Sequence, residues 1–433
     1  MTISGPGLRK SSRSVRERQA AGRRRPVPIS RILLAWAFAI VVFAPSVIRT
    51  VAAPRVVITI LAVATILHES GRTSPQALRF VQTVVVPYVA LATITLTAFR
   101  AGGSNSFNFQ RLLIVTPVCI AMGYLTARNG SVRTWAQAFV GVGVVNGTLA
   151  IVEASIGRSL IGRSVAFALN ERDGGARALL AADHSLVLGA ILAACVPLVY
   201  LSKVRWPIVY ALVLVAGSWA TGSRGPTVIA GLVALTYLVP ASEKLLRKYY
   251  RALMVGTAAF LVAVGLMSVF VWKPIAAGEI GTSYSTDYRT ALYAELPHIL
   301  AARPLGYGIA GLPPDEWLID SRLFGVQDVA TTIDSEVVLS ASNFGVLGVA
   351  AFLFALFYCG LLAIRSDAYL GLASSVVSFT GMFLALHAWD SLGPMWYLLI
   401  GMSVFVVRNS RRTLDKPSLD GSTRRTPPST GVE

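Results

Sequence analysis

Apolar residues come along this chain in long blocks separated by short polar stretches, and blocks rather than alternation set its pattern. The runs recur at roughly 32–48, 54–67, 81–98, 112–127, 134–152, 185–201, 207–220, 226–240, 251–271, 336–364, 369–387 and 393–407. Several are long enough to cross a hydrocarbon core of about 30 Å as a helix. The second and seventh are short, and the tenth is long enough to extend beyond a bilayer. The period-two alternation of an outer-membrane barrel is absent. The pattern therefore predicts an all-α polytopic membrane protein of about twelve transmembrane helices. Spans one to nine fall within 31–271 and spans ten to twelve within 336–407. A large outer loop with short helices lies between them at 272–335, and disordered cytoplasmic tails at 1–30 and 408–433 flank the whole.

Composition agrees with this class. Of 433 residues, 54% are hydrophobic and 14% charged, and the mean hydropathy is +0.63. A soluble protein of this size needs more charge to cover its surface. The net charge of +18 is concentrated in the tails, in "LRKSSRSVRERQAAGRRRPVPISR" and in "RNSRRTLDK" and "TRR". No aromatics are interleaved with these cations, so they fit anionic membrane lipids on the cytoplasmic face rather than nucleic acid. With an even span count and both tails inside, inner segments hold twice as many Lys and Arg as outer ones, and the outer segments are nearly neutral. That bias obeys the positive-inside rule. The first run has no A-x-A-like cleavage site and reads as a retained span.

Cys119, Cys195 and Cys359 lie in separate apolar runs with no C-x-x-C or Cys/His cluster, so they read as buried small hydrophobes and no metal site is indicated. His184, His298 and His387 lack metal-ligand spacing or a triad context and read as structural. "GVGVVNG" contains a G-x-x-x-G at Gly143 and Gly147, which close helix packing explains. Asn146 and Glu153, near the outer end of span five, either line a cavity or bond a neighbouring helix.

The outer arginines are the candidates for chemistry. In "WATGSRGPTVIAGLVALTYLV", Arg224 precedes Pro226, which suits the first position of a helix. Span eight then presents its N–H groups and positive dipole end on the side of the guanidinium. Gly222 and Gly225 leave room for a phosphate to approach the backbone. An arginine that only snorkels to the interface accounts for the same residues, and local physics leaves both readings open. Arg177, Arg289 and Arg303 are also placed where a site could form.

In "YSTDYRTALYAELPHILAARPLGYGIAGLPP" the spacing predicts a helix from Asp287 to Arg303 with Leu292, Leu296, Ile299 and Leu300 on one face. Arg289 falls in its first turn, where a cation opposes the helix dipole, and Tyr293 one turn later. A glycine-rich turn follows Pro304. In "TTIDSEVVLSASNFGVLGVAAFL", Asp334 or Ser335 can cap the tenth span. Asp334 can instead face the arginines as a general base or orienting group, with Glu336 its nearest rival.

These segments together resemble the O-antigen ligase and O-antigen polymerase family of bacterial envelope proteins, most strongly over 217–363. "TGSRGPTVIAGLVAL" is similar to the family's S-R-G motif at the head of a span. "RTALYAELPHILAARPLGYGIAG" resembles its R-x-x-x-W segment and following glycine turn, with Tyr293 in place of tryptophan. "DSEVVLSASNFGVLG" resembles the stretch opening the next span, with Asp334 where the family carries histidine; some polymerase-like members are acidic there. "RALLAADHS" loosely resembles a further stretch with an arginine before span six, here Arg177, without its usual glycine and proline.

The resemblance implies a glycosyltransferase that moves a glycan from an undecaprenyl-diphosphate carrier to a glycan or lipid-glycan acceptor on the periplasmic face, without nucleotide or metal. Arg224 and Arg289 would hold the diphosphate and Asp334 would act on the acceptor hydroxyl. Arg177, Arg303 and Tyr293 would contact substrate. The rival function is a transporter or flippase for an anionic lipid-linked substrate. It calls for ionisable groups deep within several spans, whereas most charges here sit at span ends. The sparse alternative, a non-catalytic scaffold, gives Arg224 no role.

Overall fold

The structure, a computed structural model, describes residues 28–70, 111–164, 168, 176–238, 252, 284–308, 311–321, 325–333, 335–365, 370–383 and 392–414. Most of both tails, the run at 81–98, all of the run at 251–271 but residue 252, Asp334 and His387 lie outside the described residues; the stretch 408–414, expected to be disordered tail, instead continues the last helix. What is described is mostly helical. The principal helices are α1 (Ile29–Phe43), α2 (Pro45–Arg49), α3 (Pro54–Ser70), α4 (Thr116–Arg128), α5 (Val132–Ile156), α6 (Ser185–Ser202), α7 (Pro207–Ala220) and α8 (Arg224–Leu238). The second half of the chain adds α9 (Tyr284–Ala302), the strands β1 (Leu318–Ser321) and β2 (Gly325–Asp328), and the helices α10 (Val329–Thr332), α11 (Glu336–Arg365), α12 (Leu370–Met382) and α13 (Leu392–Leu414). Three helices among the described residues are long and apolar enough to cross a membrane: Val132–Ile156, Ser185–Ser202 and the window Glu336–Phe354.

Helix α6 is apolar on every side, and from Val187 to Val199 it is buried all round. A helix without a polar face belongs at the centre of a bundle, and α5, α7, α8 and α12 pack around it. Gly147 of α5 and Gly217 of α7 approach so closely that a Cβ on Gly217 would meet the Gly147 backbone, as the small-residue spacing anticipates. The outward faces carry Ile60, Leu67, Val145, Leu149, Leu212, Leu232 and Phe354, all exposed. So many large apolar groups on peripheral helices suit lipid and not water. Cys119 and Cys195 are buried.

The contacts at the helix ends fall into two sets. At one end, here the tail end, Arg31 of α1 meets Glu69 of α3, and Arg133 and Gln137 of α5 donate to the Ser202 carbonyl ending α6. At the other end, Ser46 reaches Ala181, Ser223 reaches Ser185, and the Glu336 N–H donates to Phe383.

Two elements depart from the sequence expectation. The run read as span one is broken at Ala44, because Pro45 has no N–H for the ladder and starts a new short helix, α2. The tenth run is not one straight rod. Gly345 has φ 59° and ψ −139°, which an L side chain rarely adopts, and the chain turns there so sharply that Gly348 abuts the Ser340 carbonyl. In a straight helix those positions stand about 12 Å apart. The excess length of the run is thus a separate arm, 336–344, set at an angle to the helix 346–365.

Helix α9, the hairpin and α10 form a small cap over the 336–344 arm. Leu292 and Ile299 of α9, Ile319 of β1, Val329 of α10 and Val338 of the arm share its apolar core, while Leu296 joins the main core. The strands are antiparallel, with Leu318 opposite Asp328, and Asp328 caps α10 through the Ala330 N–H at 2.9 Å.

Candidate anion site at one end of the bundle

The site grows out of the segment 176–184, "ARALLAADH", which enters α6. It has no regular secondary structure, yet Ala178, Leu179, Leu180 and Ala182 are buried. Buried irregular backbone must find hydrogen-bond partners outside any ladder. Here the neighbours supply them. The Ala178 N–H donates to the Ala220 carbonyl at 3.0 Å, and the Leu179 and Leu180 N–H groups both donate to Glu153 Oε2 at 2.8 Å. Arg163 donates to the carbonyls of Leu180 and Ala182 at 3.3 and 2.5 Å, and the Ser46 hydroxyl to that of Ala181 at 2.6 Å. Leu180 holds a left-handed φ of 46° within this frame.

Arg177 stands at the head of that segment. Its Nε donates to the Thr221 carbonyl at 2.9 Å, and its side chain lies against Gly222, where a Cβ would come within 2.7 Å of Nε. Gly222 also has φ 66°, so both backbone geometry and the arginine exclude a side chain there. The turn continues through Ser223, whose hydroxyl reaches the Ser185 carbonyl at 3.5 Å, into Arg224. Arg224 is exposed and is itself the first residue of α8, two positions earlier than Pro226 suggested. The N-termini of α6 and α8 therefore meet beside Arg177 and Arg224.

His184 closes the other end of the segment. Its Nδ1 accepts the Leu186 N–H at 3.1 Å and caps α6, which places the ring proton on Nε2. Burial first, then the charges of Arg177 and Arg289, push the imidazole down from its ordinary value to about 4. Arg289, from the distant helix α9, thus comes close enough to act on the same ring as Arg177. Of the four arginines singled out from the sequence, two act electrostatically on His184 and a third is on the turn that Arg177 anchors.

Arg289 lies beyond the first turn of α9, because the helix already includes Tyr284, ahead of Asp287. The residues flanking position 334 are tied to this helix on either side of Arg289. The Tyr288 hydroxyl donates to the Thr332 carbonyl at 2.5 Å, and the Tyr293 hydroxyl bonds Ser335 Oγ at 2.8 Å. Tyr293, which replaces the tryptophan of the resembling motif, uses the hydroxyl that tryptophan lacks. Asp334 itself lies outside the described residues. Glu336, its rival, is buried and faces Arg111 through two contacts of 3.3 Å.

Arg303 is elsewhere. It stacks over the Tyr307 ring at 4.7 Å and lies roughly 20 Å along α9 from Arg289. Its neighbours belong to the corner in α11. The Val346 N–H donates to the Pro304 carbonyl at 2.8 Å and the Tyr307 N–H to the Ser342 carbonyl at 2.7 Å. The glycine turn after α9 thus satisfies the backbone groups that the break at Gly345 leaves open.

Sequence reasoning missed Arg111 as the partner of Glu336, 225 residues away. It also left His184 structural and Glu153 undecided. His298, by contrast, is exposed on α9 beside Glu295, and Asn146 donates to the Val142 carbonyl of its own helix. Chemically, the guanidinium groups of Arg177 and Arg224 at two helix N-termini suit an anion. No family model, curated protein or solved structure matches the chain.

Proposed function

We propose that this protein is a metal-independent membrane glycosyltransferase, of the kind that polymerises or ligates undecaprenyl-diphosphate-linked glycans. It sits in a bacterial plasma membrane with about twelve spans and both termini cytoplasmic. The observation that carries the reading is the seating of Arg177 on the Thr221–Arg224 turn, where the N-termini of α6 and α8 meet, with the charge of Arg289 also felt at the neighbouring His184. Those arginines were singled out from separate stretches of sequence for an anionic carrier.

In the reaction, Arg224, Arg289 and Arg177 hold the carrier diphosphate. The acceptor hydroxyl oxygen forms a bond to the anomeric carbon of the donor glycan while the bond from that carbon to the phosphate oxygen breaks. The guanidinium groups stabilise the charge that develops on the departing diphosphate. The acceptor proton passes to Asp334, the nearest unassigned carboxylate in sequence, since Glu336 is taken up by Arg111. Two further features support this reading. The segments resembling separate family motifs, 304–308 and 342–346, are hydrogen-bonded to each other, and Tyr288 and Tyr293 hold the approaches to position 334 beside Arg289.

The test is reconstitution. Purified protein in lipid nanodiscs, given a lipid-linked oligosaccharide donor and a glycan or lipid-glycan acceptor, should form a new glycosidic bond without added metal or nucleotide. Transport of the donor with no bond formed would instead establish the flippase reading. A deletion strain then separates the two glycosyltransferases: loss of a ligase leaves long glycan on the carrier, loss of a polymerase leaves single repeat units.

A further inference from the structure

Glu153 is fully buried at the end of α5, yet its carboxylate meets backbone amides: Leu160 N–H at 3.1 Å on Oε1, and Leu179 and Leu180 N–H at 2.8 Å on Oε2. Three charge-assisted bonds to one carboxylate make a rigid joint. Two of them grip the chain two and three residues beyond Arg177. On the near side, the Ala178 N–H is bound to Ala220 and the Arg177 side chain to Thr221, so the residue is clamped between α5 and the α7–α8 turn. Arg163 holds the carbonyl side of the same segment. A loop that only connected α5 to α6 would need none of this and could run over the surface.

We propose that Glu153 is a positioning residue for Arg177: it fixes the backbone from which the guanidinium is presented to the diphosphate, and does not itself touch substrate. This rests on the anion-site reading above and adds to it a residue outside the arginine cluster. Loss of the carboxylate leaves two buried N–H groups unpaired, which frees the segment and displaces Arg177 from the Gly222 surface.

The experiment uses the full-length protein in nanodiscs and titrates undecaprenyl diphosphate, with neutral polyprenol as control, against wild type, Arg177→Ala, Glu153→Leu, Glu153→Gln and the Glu153→Leu/Arg177→Ala double variant. Arg177→Ala and Glu153→Leu should each weaken binding by about tenfold. The double variant should bind no more weakly than either single one, because both remove the same contact. Glu153→Gln keeps an oxygen able to accept from Leu179 and Leu180, and should restore binding to within about threefold of wild type.

A folded Glu153→Leu protein with wild-type affinity, or a double variant whose loss is the product of the two singles, overturns the proposal. If Glu153→Leu does not fold, hydrogen exchange of the Leu179 and Leu180 amides decides in Glu153→Asp. Faster exchange together with weaker binding supports the positioning role, and unchanged binding with faster exchange overturns it. Wild type that fails to distinguish undecaprenyl diphosphate from polyprenol overturns the anion-site reading itself.

Discussion

The Arg31–Glu69 pair at the tail end and the Arg177–His184 region at the other end treat charge in opposite ways, although Arg111 with Glu336, also at that second end, is closed like the first. At the tail end, Arg31 and Glu69 are both buried and meet at 2.6 Å, and Asn129 donates to the same carboxylate. Cation, anion and amide complete one another and tie α1, α3 and α4 together. At the other end Arg177 donates to a carbonyl, Arg289 lies near enough to depress His184, Arg224 is exposed, and the buried carboxylate Glu153 is given to backbone amides. The first arrangement is closed, because an added ion would find its charge already matched. The second concentrates positive charge and helix N-termini on one surface and builds a rigid frame beneath them. The same residue types hold helices together in one place and prepare for an anion in the other.

The sharpest break of this comparison is at the tail end. Removing one member of a buried pair strands the other, so Glu69→Ala should destabilise the protein by about 3–5 kcal/mol. The double replacement Arg31→Met/Glu69→Leu should recover most of that loss, measured by thermal unfolding in detergent. Neither change should alter undecaprenyl diphosphate affinity in the folded fraction. An affinity loss there would erase the distinction between the two ends.

At the arginine end the expectation reverses. Arg224→Lys and Arg289→Lys keep the charge but lose the planar fork, and should lower turnover by about a hundredfold while leaving the unfolding temperature within about two degrees. If lysine serves as well as arginine in a turnover assay, these side chains are interfacial anchors and the site reading fails.

The corner in α11 lies between these cases. Gly345→Ala forces a side chain into a backbone conformation that strains it, and against the Pro304 carbonyl. It should cost about 2–4 kcal/mol of stability. If the corner also places the residues around 334, turnover in the folded fraction should fall by about tenfold, read from kcat with the donor saturating.

How much of this was legible beforehand follows from the range of the forces involved. Long apolar runs announce helices because burial is a local property of composition. Most of the described helices therefore match the expected runs to within a few residues, as Ser185–Ser202 and Pro207–Ala220 do, although the last runs on to Leu414. The apolar face of α9 was readable for the same reason: Leu292, Leu296 and Ile299 are fully buried. The corner at Gly345 was hidden, since an apolar run does not say whether it is straight; the glycines were visible, but not the carbonyls of Ser340 and Pro304 that press on them. Arg111 with Glu336, and Glu153 with Leu179, pair across loops whose course no periodicity encodes. Arg224, Arg289 and Arg177 were singled out by residue type and motif order, and Arg303 was grouped with them because a helix repeat does not show that the two ends of α9 lie in different surroundings. The short hairpin left no signal in four-residue strands.

The smallest effect expected is also the most particular to the crowded end. In the free protein His184 stays neutral down to about pH 4, because burial and then Arg177 and Arg289 oppose its proton. An unfolded histidine takes the proton near pH 6.5. The stability that the neutral ring contributes is therefore present above about pH 6.5 and is lost as pH falls towards 4. A bound diphosphate offsets the two guanidinium charges and raises the His184 pKa, so binding takes up a proton in that window. Affinity for undecaprenyl diphosphate should be flat above about pH 6.5 and should strengthen by about threefold at pH 5.5, relative to His184→Gln under the same conditions. The ratio to the variant removes titration of the phosphate itself. At the tail end, the pairing of Arg31 with Glu69 leaves no such charge for a ligand to offset. Equal pH dependence in wild type and His184→Gln would mean that the arginines do not share an anion beside this ring.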